Sequence, residues 1–338
     1  MNYKKSVFLL LYFAISILIM APVGNSTALY VRKDGTGDFI YIAEAIFYSQ
    51  SGDTIFIGPG FWQRPTIRLY QKALHFISEE GPEVTTINYE SFPQVGWTNV
   101  FNFQDTGGEC SVIGFTIKGA YGGSLDWGGG ICCTNSRVYI RNNIITDNWC
   151  AFGGGISCYG QPSQIIENNL ICHNEANSGG AIEVNRCSPI IRTNTIVYNY
   201  AGVVAGAIYI GIDAQPIISN NIIVSNLAPD VGGIYCNTSC GSSYPGEELF
   251  TCNDVWNNTP TNYGGSLTDQ TGINGNISED PLFCGIPGSG NFYLQSGSPC
   301  AASNVPDFCN GIRMGTYPVN CEVGTEATSW GKIKSLYK

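Results

Sequence analysis

Residues 153–184 read GGGISCYGQPSQIIENNLICHNEANSGGAIEV, which opens on glycines followed by isoleucine and returns to that pattern near its end. The same isoleucine recurs along the chain at steps of 25, 26, 26 and 26 residues, as Ile131, Ile156, Ile182, Ile208 and Ile234. Two asparagine registers repeat with similar spacing: Asn143, Asn169, Asn194 and Asn221 form one, and Asn148, Asn174, Asn199 and Asn226 form the other. Self-similarity at a period of 20–50 residues indicates a stacked repeat architecture.

The residue types of each repeat favour strands over helices. Each repeat holds two or three runs of about five alternating, β-branched residues between glycines or asparagines, without the 3.6-residue periodicity of a helix. One repeat is therefore one coil of three short strands, and each strand pairs with its equivalent in the next coil about 4.8 Å away. The predicted fold is all-β: a right-handed parallel β-helix of about ten coils, with glycines at crowded corners.

Two further features belong to this prediction. Asparagine amides stacked between coils are expected to hydrogen-bond along the stack as a ladder. The ends of such a stack expose strand edges that need covering. At the front, Ile42, Ala45, Ile46 and Ser49 recur at helical spacing in YIAEAIFYSQ, which predicts a short N-terminal capping helix.

A family resemblance supports the same fold. Residues 31–62, VRKDGTGDFIYIAEAIFYSQSGDTIFIGPGFW, resemble the N-terminal coil of pectin lyase-like β-helix proteins, and the repeats look like those of bacterial secreted β-helix proteins. The resemblance implies a β-helix over nearly the whole mature chain. It would imply catalysis only if the family's motifs were present, and no complete pectate lyase, polygalacturonase or pectin esterase motif is found. Whether the protein is an enzyme is therefore left open, because fold does not determine function.

The start of the chain predicts export. Lys4 and Lys5 precede an apolar run from Val7 to about Val23, and Ser26-Thr27-Ala28 offers small residues for cleavage after Ala28, with a membrane anchor as the alternative. No second apolar stretch of that length follows, so no transmembrane segment is expected in the mature chain. The predicted divisions are a signal peptide (1–28), an N-terminal cap with the first coils (29–110), regular repeats (111–260), C-terminal coils with a cysteine-rich cap (261–321) and a tail (322–338).

Charge and cysteine content narrow the partners. The net charge is −10, which argues against nucleic acid and against an acidic polysaccharide unless a local basic patch or a bridging cation intervenes. No cofactor motif is evident; calcium is compatible with this charge, but no calcium motif and no metal site are found. An even 14 cysteines in an exported chain permit disulfides. Loop and end staples are expected among Cys236, Cys240, Cys252 and the four cysteines from Cys284 to Cys321.

Candidate ligand-binding residues follow the repeated isoleucine by one position. This register contains Cys132, Ser157, Glu183, Tyr209 and Tyr235. Strand alternation points these side chains away from the inside of the coil. Tyr209 and Tyr235 would stack on sugar rings while Glu183 accepts hydrogen bonds from hydroxyl groups. The alternative is an aromatic ladder that only stabilises the sheet.

Two other columns carry charged or titratable groups. Asp147, His173 and Tyr198 are the weak catalytic candidates, because a histidine between a carboxylate and a phenol would suit general acid–base chemistry. The alternative is a corner column with a structural role. Arg141, Glu167 and Arg192 alternate in sign one coil apart, which predicts mutual ion pairing rather than catalysis.

The sequence thus predicts a secreted or cell-surface β-helix protein. Its preferred function is a non-catalytic module that binds an extracellular polysaccharide or another cell-surface component through one long face. The alternative is a carbohydrate-active enzyme, a polysaccharide lyase or a glycoside hydrolase, that acts in a groove on the side of the β-helix. A purely structural surface role is the third hypothesis.

Overall fold

A computed structural model describes residues 26–63, 67–89, 99–123, 127–237, 249–285 and 290–321. One helix, α1 (Ile42–Tyr48), and one 3-10 turn, Asp307–Cys309, accompany the strands of these ranges. Before the regular repeats the strands are β1 (Ala28–Val31), β2 (Thr54–Ile57), β3 (Gly60–Gln63), β4 (Ile67–Tyr70), β5 (His75–Ser78), β6 (Thr85–Asn88), β7 (Phe101–Gln104), β8 (Glu109–Ile113) and β9 (Thr116–Lys118).

The strands of the regular repeats follow in chain order. They are β10 (Ile131–Thr134), β11 (Arg137–Arg141), β12 (Ile144–Thr146), β13 (Trp149–Phe152), β14 (Ile156–Tyr159), β15 (Ile165–Glu167), β16 (Leu170–Cys172), β17 (Glu175–Ser178), β18 (Ile182–Asn185), β19 (Ile190–Arg192), β20 (Thr195–Val197), β21 (Tyr200–Val204), β22 (Ile208–Ile210), β23 (Ile217–Ser219) and β24 (Ile222–Val224). The last ones are β25 (Ile234–Cys236), β26 (Phe250–Thr251), β27 (Asp254–Trp256) and β28 (Tyr263–Gly265).

These strands form four parallel sheets that run the length of a solenoid. Sheet 1 contains β1, β2, β5, β8, β11, β15, β19, β23 and β26. Sheet 2 contains β3, β6, β9, β12, β16, β20, β24 and β27, and sheet 3 contains β4, β7, β10, β14, β18, β22, β25 and β28. Sheet 4 is short, with β13, β17 and β21 only. The chain visits sheets 1, 2 and 3 in turn, so each circuit adds one strand to each sheet.

The isoleucines that repeat in the sequence are paired with one another in the structure. Ile131 pairs with Ile156, Ile156 with Ile182, Ile182 with Ile208, and Ile208 with Ile234, in consecutive strands of sheet 3. All five side chains are fully buried. The prediction that one coil spans about 26 residues is therefore confirmed, and the predicted isoleucine column is the inner wall of the tube.

The number of coils was overestimated. Sheets of nine, eight and eight strands correspond to about eight coils rather than about ten. The difference arises after β28, where the chain leaves the stack and the C-terminal segment, residues 290–321, covers the outer face of sheet 2. Thr316 and Thr195 each donate a backbone N–H to the other's hydroxyl, and Leu294 and Met314 share a buried cluster with Val197 and Val224.

The predicted N-terminal helix is confirmed as α1. Its Ile42 and Ala45 are buried, and it packs on β1 and β2 at the start of the solenoid. The predicted signal peptide falls mostly on residues 1–25, outside the described ranges, as does the tail 322–338. Ala28 begins β1 and pairs with Thr54, so cleavage after Ala28 would remove the first residue of that strand. The cleavage site and the division boundaries stay predictions.

Two asparagine ladders hold the corners of the coils. In each ladder the side-chain Nδ2 donates to the Oδ1 of the next asparagine over 2.9–3.1 Å. The first ladder runs through Asn143, Asn169, Asn194, Asn221, Asn253 and Asn276, and the second through Asn148, Asn174, Asn199, Asn226, Asn258 and Asn262. In each ladder, the residue before each of the first five asparagines has a positive φ. That turn makes the corner, and the buried amide satisfies the backbone groups that the turn frees.

Cysteines serve two different purposes. Cys252–Cys309 and Cys284–Cys321 are disulfides that tie the C-terminal part of the chain, as the prediction of end staples required. Cys300, predicted among the same staples, is instead a buried thiol that donates to Asp254 over 3.2 Å. Cys240 lies outside the described ranges. Cysteines inside the repeats, such as Cys133 and Cys158, are buried as small apolar side chains.

Candidate functional site

The three ligand-binding candidates share one column of sheet 3. Glu183 pairs with Tyr209, and Tyr209 pairs with Tyr235, in β18, β22 and β25. Ser157 precedes Glu183 in the same column. The register that the sequence indicates therefore places these side chains next to one another on the outer face of the sheet.

The two tyrosines of this column stack on each other. Their ring centroids are 5.7 Å apart and their planes differ by 13°. Both side chains are half-buried. Burial, with smaller contributions from Glu183 and Tyr235, raises the pKa of Tyr209. Because each ring covers one face of the other, a ligand on this surface would meet the ring edges and the phenol oxygens.

Glu183 is buried, although it points away from the inside of the coil. Its side chain is 2% exposed. Oε1 accepts a hydrogen bond of 2.6 Å from Asn185 Nδ2, whereas Oε2 has no hydrogen-bond partner among the described residues. Burial raises the pKa of this carboxyl to about 8, so the group is largely protonated at neutral pH. With 2% of the residue exposed, the carboxyl is not available to accept hydrogen bonds from a ligand's hydroxyl groups.

The turn that joins sheet 4 to sheet 3 lies against Glu183, since a Cβ atom at Gly179 would be 3.1 Å from the Glu183 Cβ. Sheet 4 was not predicted from the sequence. Its strands lie between sheet 2 and sheet 3 along the chain and fold back on the outer face of sheet 3. Small side chains of sheet 4, Cys150, Ala176 and Ala201, are buried. The Cys150 thiol lies close enough to Cys132 to influence its pKa. The gap between the two sheets is thus a second, thin packing layer.

The other face of sheet 4 is a column of exposed and half-exposed side chains. Tyr121, Trp149, Glu175, Tyr200 and Leu227 pair in that order, one coil apart. Tyr121 is 55% exposed and stacks on Trp149 with centroids 4.7 Å apart. Four of these five residues directly follow an asparagine of the second ladder. That position is the signal that would have revealed the column in the sequence.

A second aromatic group lies where sheet 4 meets sheet 3. Trp127 lies 4.8 Å from Phe152 between centroids, and it meets Tyr159 edge to face at 72°. Arg186 Nη1 donates to the Tyr159 hydroxyl over 3.0 Å. These aromatic side chains are half-buried. Together with the sheet 4 column and the Tyr209–Tyr235 pair, they make up the aromatic face of the protein: Tyr121, Trp127, Trp149, Phe152, Tyr159, Tyr200, Tyr209 and Tyr235.

The catalytic candidates share a corner column after sheet 2. Asp147, His173 and Tyr198 have φ values of 53°, 55° and 56°, each directly before an asparagine of the second ladder. The His173 and Tyr198 rings stack with centroids 5.6 Å apart, while Asp147 pairs with Lys118 at 3.4 Å. No hydrogen bond joins the three candidates within the described ranges. The column brings them together without the hydrogen-bonded geometry that proton transfer needs.

Tyr198 faces a small groove. It and Ser225 line one wall of a cavity of about 450 Å³, and Asp280 and Phe292 lie on the opposite wall. Burial, with a smaller contribution from Asp280, raises the pKa of Tyr198. The groove therefore adds one carboxylate near the candidate phenol, from a part of the chain that sequence spacing did not connect to it.

The arginine column pairs as predicted. Arg141 Nε lies 2.8 Å from Glu167 Oε1, and Arg192 Nη2 lies 2.6 Å from Glu167 Oε2. One carboxylate thus bridges two guanidinium groups across three coils, at the corner between sheet 1 and sheet 2. The described ranges contain no group of three or more His, Cys, Asp or Glu side chains arranged to hold a metal ion.

Comparison with known proteins addresses the fold. Residues 124–245 match a family model described as "Right handed beta helix region". The chain is a right-handed parallel β-helix. The β-helix is similar to the crystal structure of a pectin methylesterase in complex with a hexasaccharide, with 12% identity, a TM-score of 0.40, and coverage of 71% of this chain and 80% of that one. No curated protein matches the chain.

The predicted right-handed parallel β-helix is therefore confirmed. The similarity to the esterase structure is too low to carry an argument about activity. In the part of the chain that the structure describes, no helix has the length and apolar character needed to cross a membrane.

Proposed function

We propose that the protein is a secreted or cell-surface β-helix module that binds glycans through its aromatic face without catalysing a reaction. The observation that supports this proposal is the concentration of partly exposed aromatic side chains on the side formed by sheets 3 and 4. Aromatic rings supply large, rigid contact area with a polar handle, and they are enriched where proteins bind partners. The disulfides Cys252–Cys309 and Cys284–Cys321 agree with an extracellular location.

Polar groups on the same face suit sugar hydroxyls. Glu175 and Asn177 are exposed on β17, between the aromatic residues of β13 and β21. Arg186 lies over the Tyr159 ring, with its guanidinium carbon 5.8 Å from the ring centroid. Trp149 and Tyr200 stand two coils apart, about 10 Å along the stack, which is close to the length of two sugar rings. The exposed Glu175 takes the hydrogen-bonding role that the sequence analysis gave to the buried Glu183.

The experiment measures glycan binding by the full chain on an array of neutral and acidic oligosaccharides. Tyr209→Ala with Tyr235→Ala, and separately Trp149→Ala, should each weaken binding about tenfold, since each removes aromatic contacts of roughly 0.5–1.5 kcal/mol beyond area burial. Tyr41→Ala is the control, because Tyr41 is a more exposed tyrosine that precedes α1 and lies off the aromatic face. Unchanged binding in both aromatic variants, or an equal loss in Tyr41→Ala, would contradict the proposal.

The alternative, a carbohydrate-active enzyme, draws on the His173–Tyr198 stack and the groove beside Tyr198. It predicts unsaturated products or new reducing ends when the protein is incubated with polysaccharides. Those products should disappear in His173→Ala. Activity that survives this substitution would remove the column from consideration, and binding without any product would favour the module.

A further inference from the structure

A groove of about 930 Å³ lies on a different side of the β-helix from the aromatic face. One wall is the corner between sheets 1 and 2, with Arg141, Glu167 and Arg192. The other wall is the C-terminal segment, with Ile312, Arg313 and Val319. More than a hundred residues of sequence separate Arg192 from Arg313, so only the packing of the segment onto the stack creates this groove.

The groove is positively charged, although the protein as a whole is negatively charged. The charged residues that line it are three arginines and one glutamate, a net charge of +2, while the whole chain carries −10. Glu167 accepts from Arg192 Nε over 2.7 Å and is paired with Arg141 as well. Two guanidinium groups offer ten N–H donors, and a carboxylate has only two oxygens. Glu167 therefore orients both arginines without neutralising them.

Arg313 completes the positive wall from the other side. Its Nη2 donates to the Thr316 carbonyl over 2.8 Å, while its buried Nε has no hydrogen-bond partner among the described residues. Burial lowers the pKa of this guanidinium. A buried, incompletely bonded cation is costly unless a counter-charge approaches it. An anion in the groove, which Arg313 lines, would supply that charge.

We propose that this groove binds the anionic oxygen group of a glycan, a phosphate, sulfate or carboxylate substituent, through Arg192 and Arg313. Planar guanidinium groups bind such oxygens with two parallel N–H donors. Asn168, Thr193 and Ser303 line the same groove and carry amide or hydroxyl groups suited to the neighbouring sugar hydroxyls. The net charge of −10 disfavours nucleic acid as the source of the anion. The groove is the local basic patch without which an acidic glycan would be repelled.

The test titrates the full chain by calorimetry with glucose 6-phosphate, glucose 6-sulfate, glucuronate and glucose. At least one charged sugar should bind saturably and more tightly than glucose, with an affinity that falls as salt is added. The three charged sugars identify which substituent the groove prefers. Arg192→Gln should weaken that binding at least about tenfold, because it removes a charge-assisted contact. Arg313→Lys, which keeps the charge and loses the fork, should weaken it several-fold.

Arg137→Gln is the matched control. Arg137 is 47% exposed and paired with Glu109, as Arg192 is 48% exposed and paired with Glu167, but it does not line the groove. Thermal unfolding checks each variant, and Arg192→Gln decides the question if Arg313→Lys does not fold. The proposal is overturned if no charged sugar binds more tightly than glucose, if Arg137→Gln is as damaging as Arg192→Gln, or if an oligonucleotide binds as well as the sugars.

The proposed anion site and the aromatic face can be tested independently of each other. Tyr209→Ala with Tyr235→Ala should leave the binding of charged sugars in the groove unchanged. Arg192→Gln should leave binding to neutral glycans on the aromatic face unchanged. A failure of one proposal is therefore distinguishable from a failure of the other.

Discussion

At the scale of single residues, Glu183 shows how one register position acquires an unexpected environment. Its place on the outer face of sheet 3 follows from strand alternation, and its neighbours Ser157 and Tyr209 follow from the repeat. The burial of Glu183 does not follow from the repeat, since it involves the turn at Gly179 that joins sheet 4 to sheet 3. The carboxyl keeps one hydrogen bond, from Asn185, and its pKa rises to about 8.

The raised pKa predicts a pH-dependent stability. In the unfolded chain the Glu183 carboxyl has the ordinary glutamate pKa of about 4.3. In the folded protein its pKa is about 8. The contribution to stability is therefore full below about pH 4 and is lost as the pH rises towards 8. Glu183→Gln should match the wild type near pH 4 and exceed it above pH 8 by on the order of 1–3 kcal/mol. Urea unfolding across this range measures the difference.

Glu109→Gln is the control for this prediction, because Glu109 is 54% exposed on sheet 1. Asp254, whose pKa burial raises to about 7, retains its own pH dependence in both variants. A Glu183→Gln protein with the wild-type slope from pH 4 to 8 would show that the buried carboxyl does not control this behaviour.

At the scale of elements, a column of glycines lets sheet 4 fold back tightly on sheet 3. The column contains Gly129, Gly154, Gly180, Gly206 and Gly232. A Cβ atom at any of them would lie 2.3–2.7 Å from a backbone atom of an adjacent coil. Glycine is required here by the close approach of neighbouring coils and not by a positive φ. The repeated glycines of the sequence thus have a packing role in addition to corner geometry.

This column predicts different effects for two alanine substitutions. In Gly180→Ala the new methyl group would stand 2.4 Å from the Gly206 carbonyl oxygen and 2.5 Å from that of Tyr200. Backbone atoms cannot move away cheaply, so we expect a loss of about 3 kcal/mol or more. Gly202→Ala, on β21, meets no atom closer than 3.8 Å and should be neutral or slightly stabilising. Chemical unfolding measures both, and equal stability of the two variants would contradict the packing of sheet 4.

At the scale of the whole molecule, the C-terminal segment, residues 290–321, forms grooves where it packs against the coils of the β-helix. It covers the outer face of sheet 2, and Gly315 donates to the Asn220 carbonyl while the Thr316 hydroxyl donates to the Asn169 carbonyl. The strands beneath it are apolar at successive positions, as in Ile222-Ile223-Val224. Such a run is typical of a strand buried on both faces. That pattern was readable in the sequence and would have predicted a cover over sheet 2.

The disulfide Cys252–Cys309 links the C-terminal segment to the β-helix. Removing this disulfide should therefore destabilise the part of sheet 2 that the segment covers. Replacing both cysteines by serine should lower the free energy of unfolding by about 2–4 kcal/mol, since a long loop is no longer closed in the unfolded chain. Hydrogen exchange should accelerate at the sheet 2 strand Thr195–Val197, which lies under the segment. The sheet 1 strand Ile190–Arg192 serves as the internal control. Uniform acceleration of both strands would indicate general destabilisation and not release of the cover.

The sequence by itself determined the tube: its period, the inner isoleucine column, the asparagine ladders, the helix α1 and the adjacency of Glu183, Tyr209 and Tyr235. These are readable because a parallel stack converts spacing along the chain directly into position in space. It did not determine sheet 4, the burial of Glu183, or the groove that joins Arg192 to Arg313. The groove depends on the C-terminal segment packing across the stack, and contacts between distant parts of a chain leave no period to read. Sheet 4 does repeat once per coil, but spacing alone does not say against which face of sheet 3 it lies.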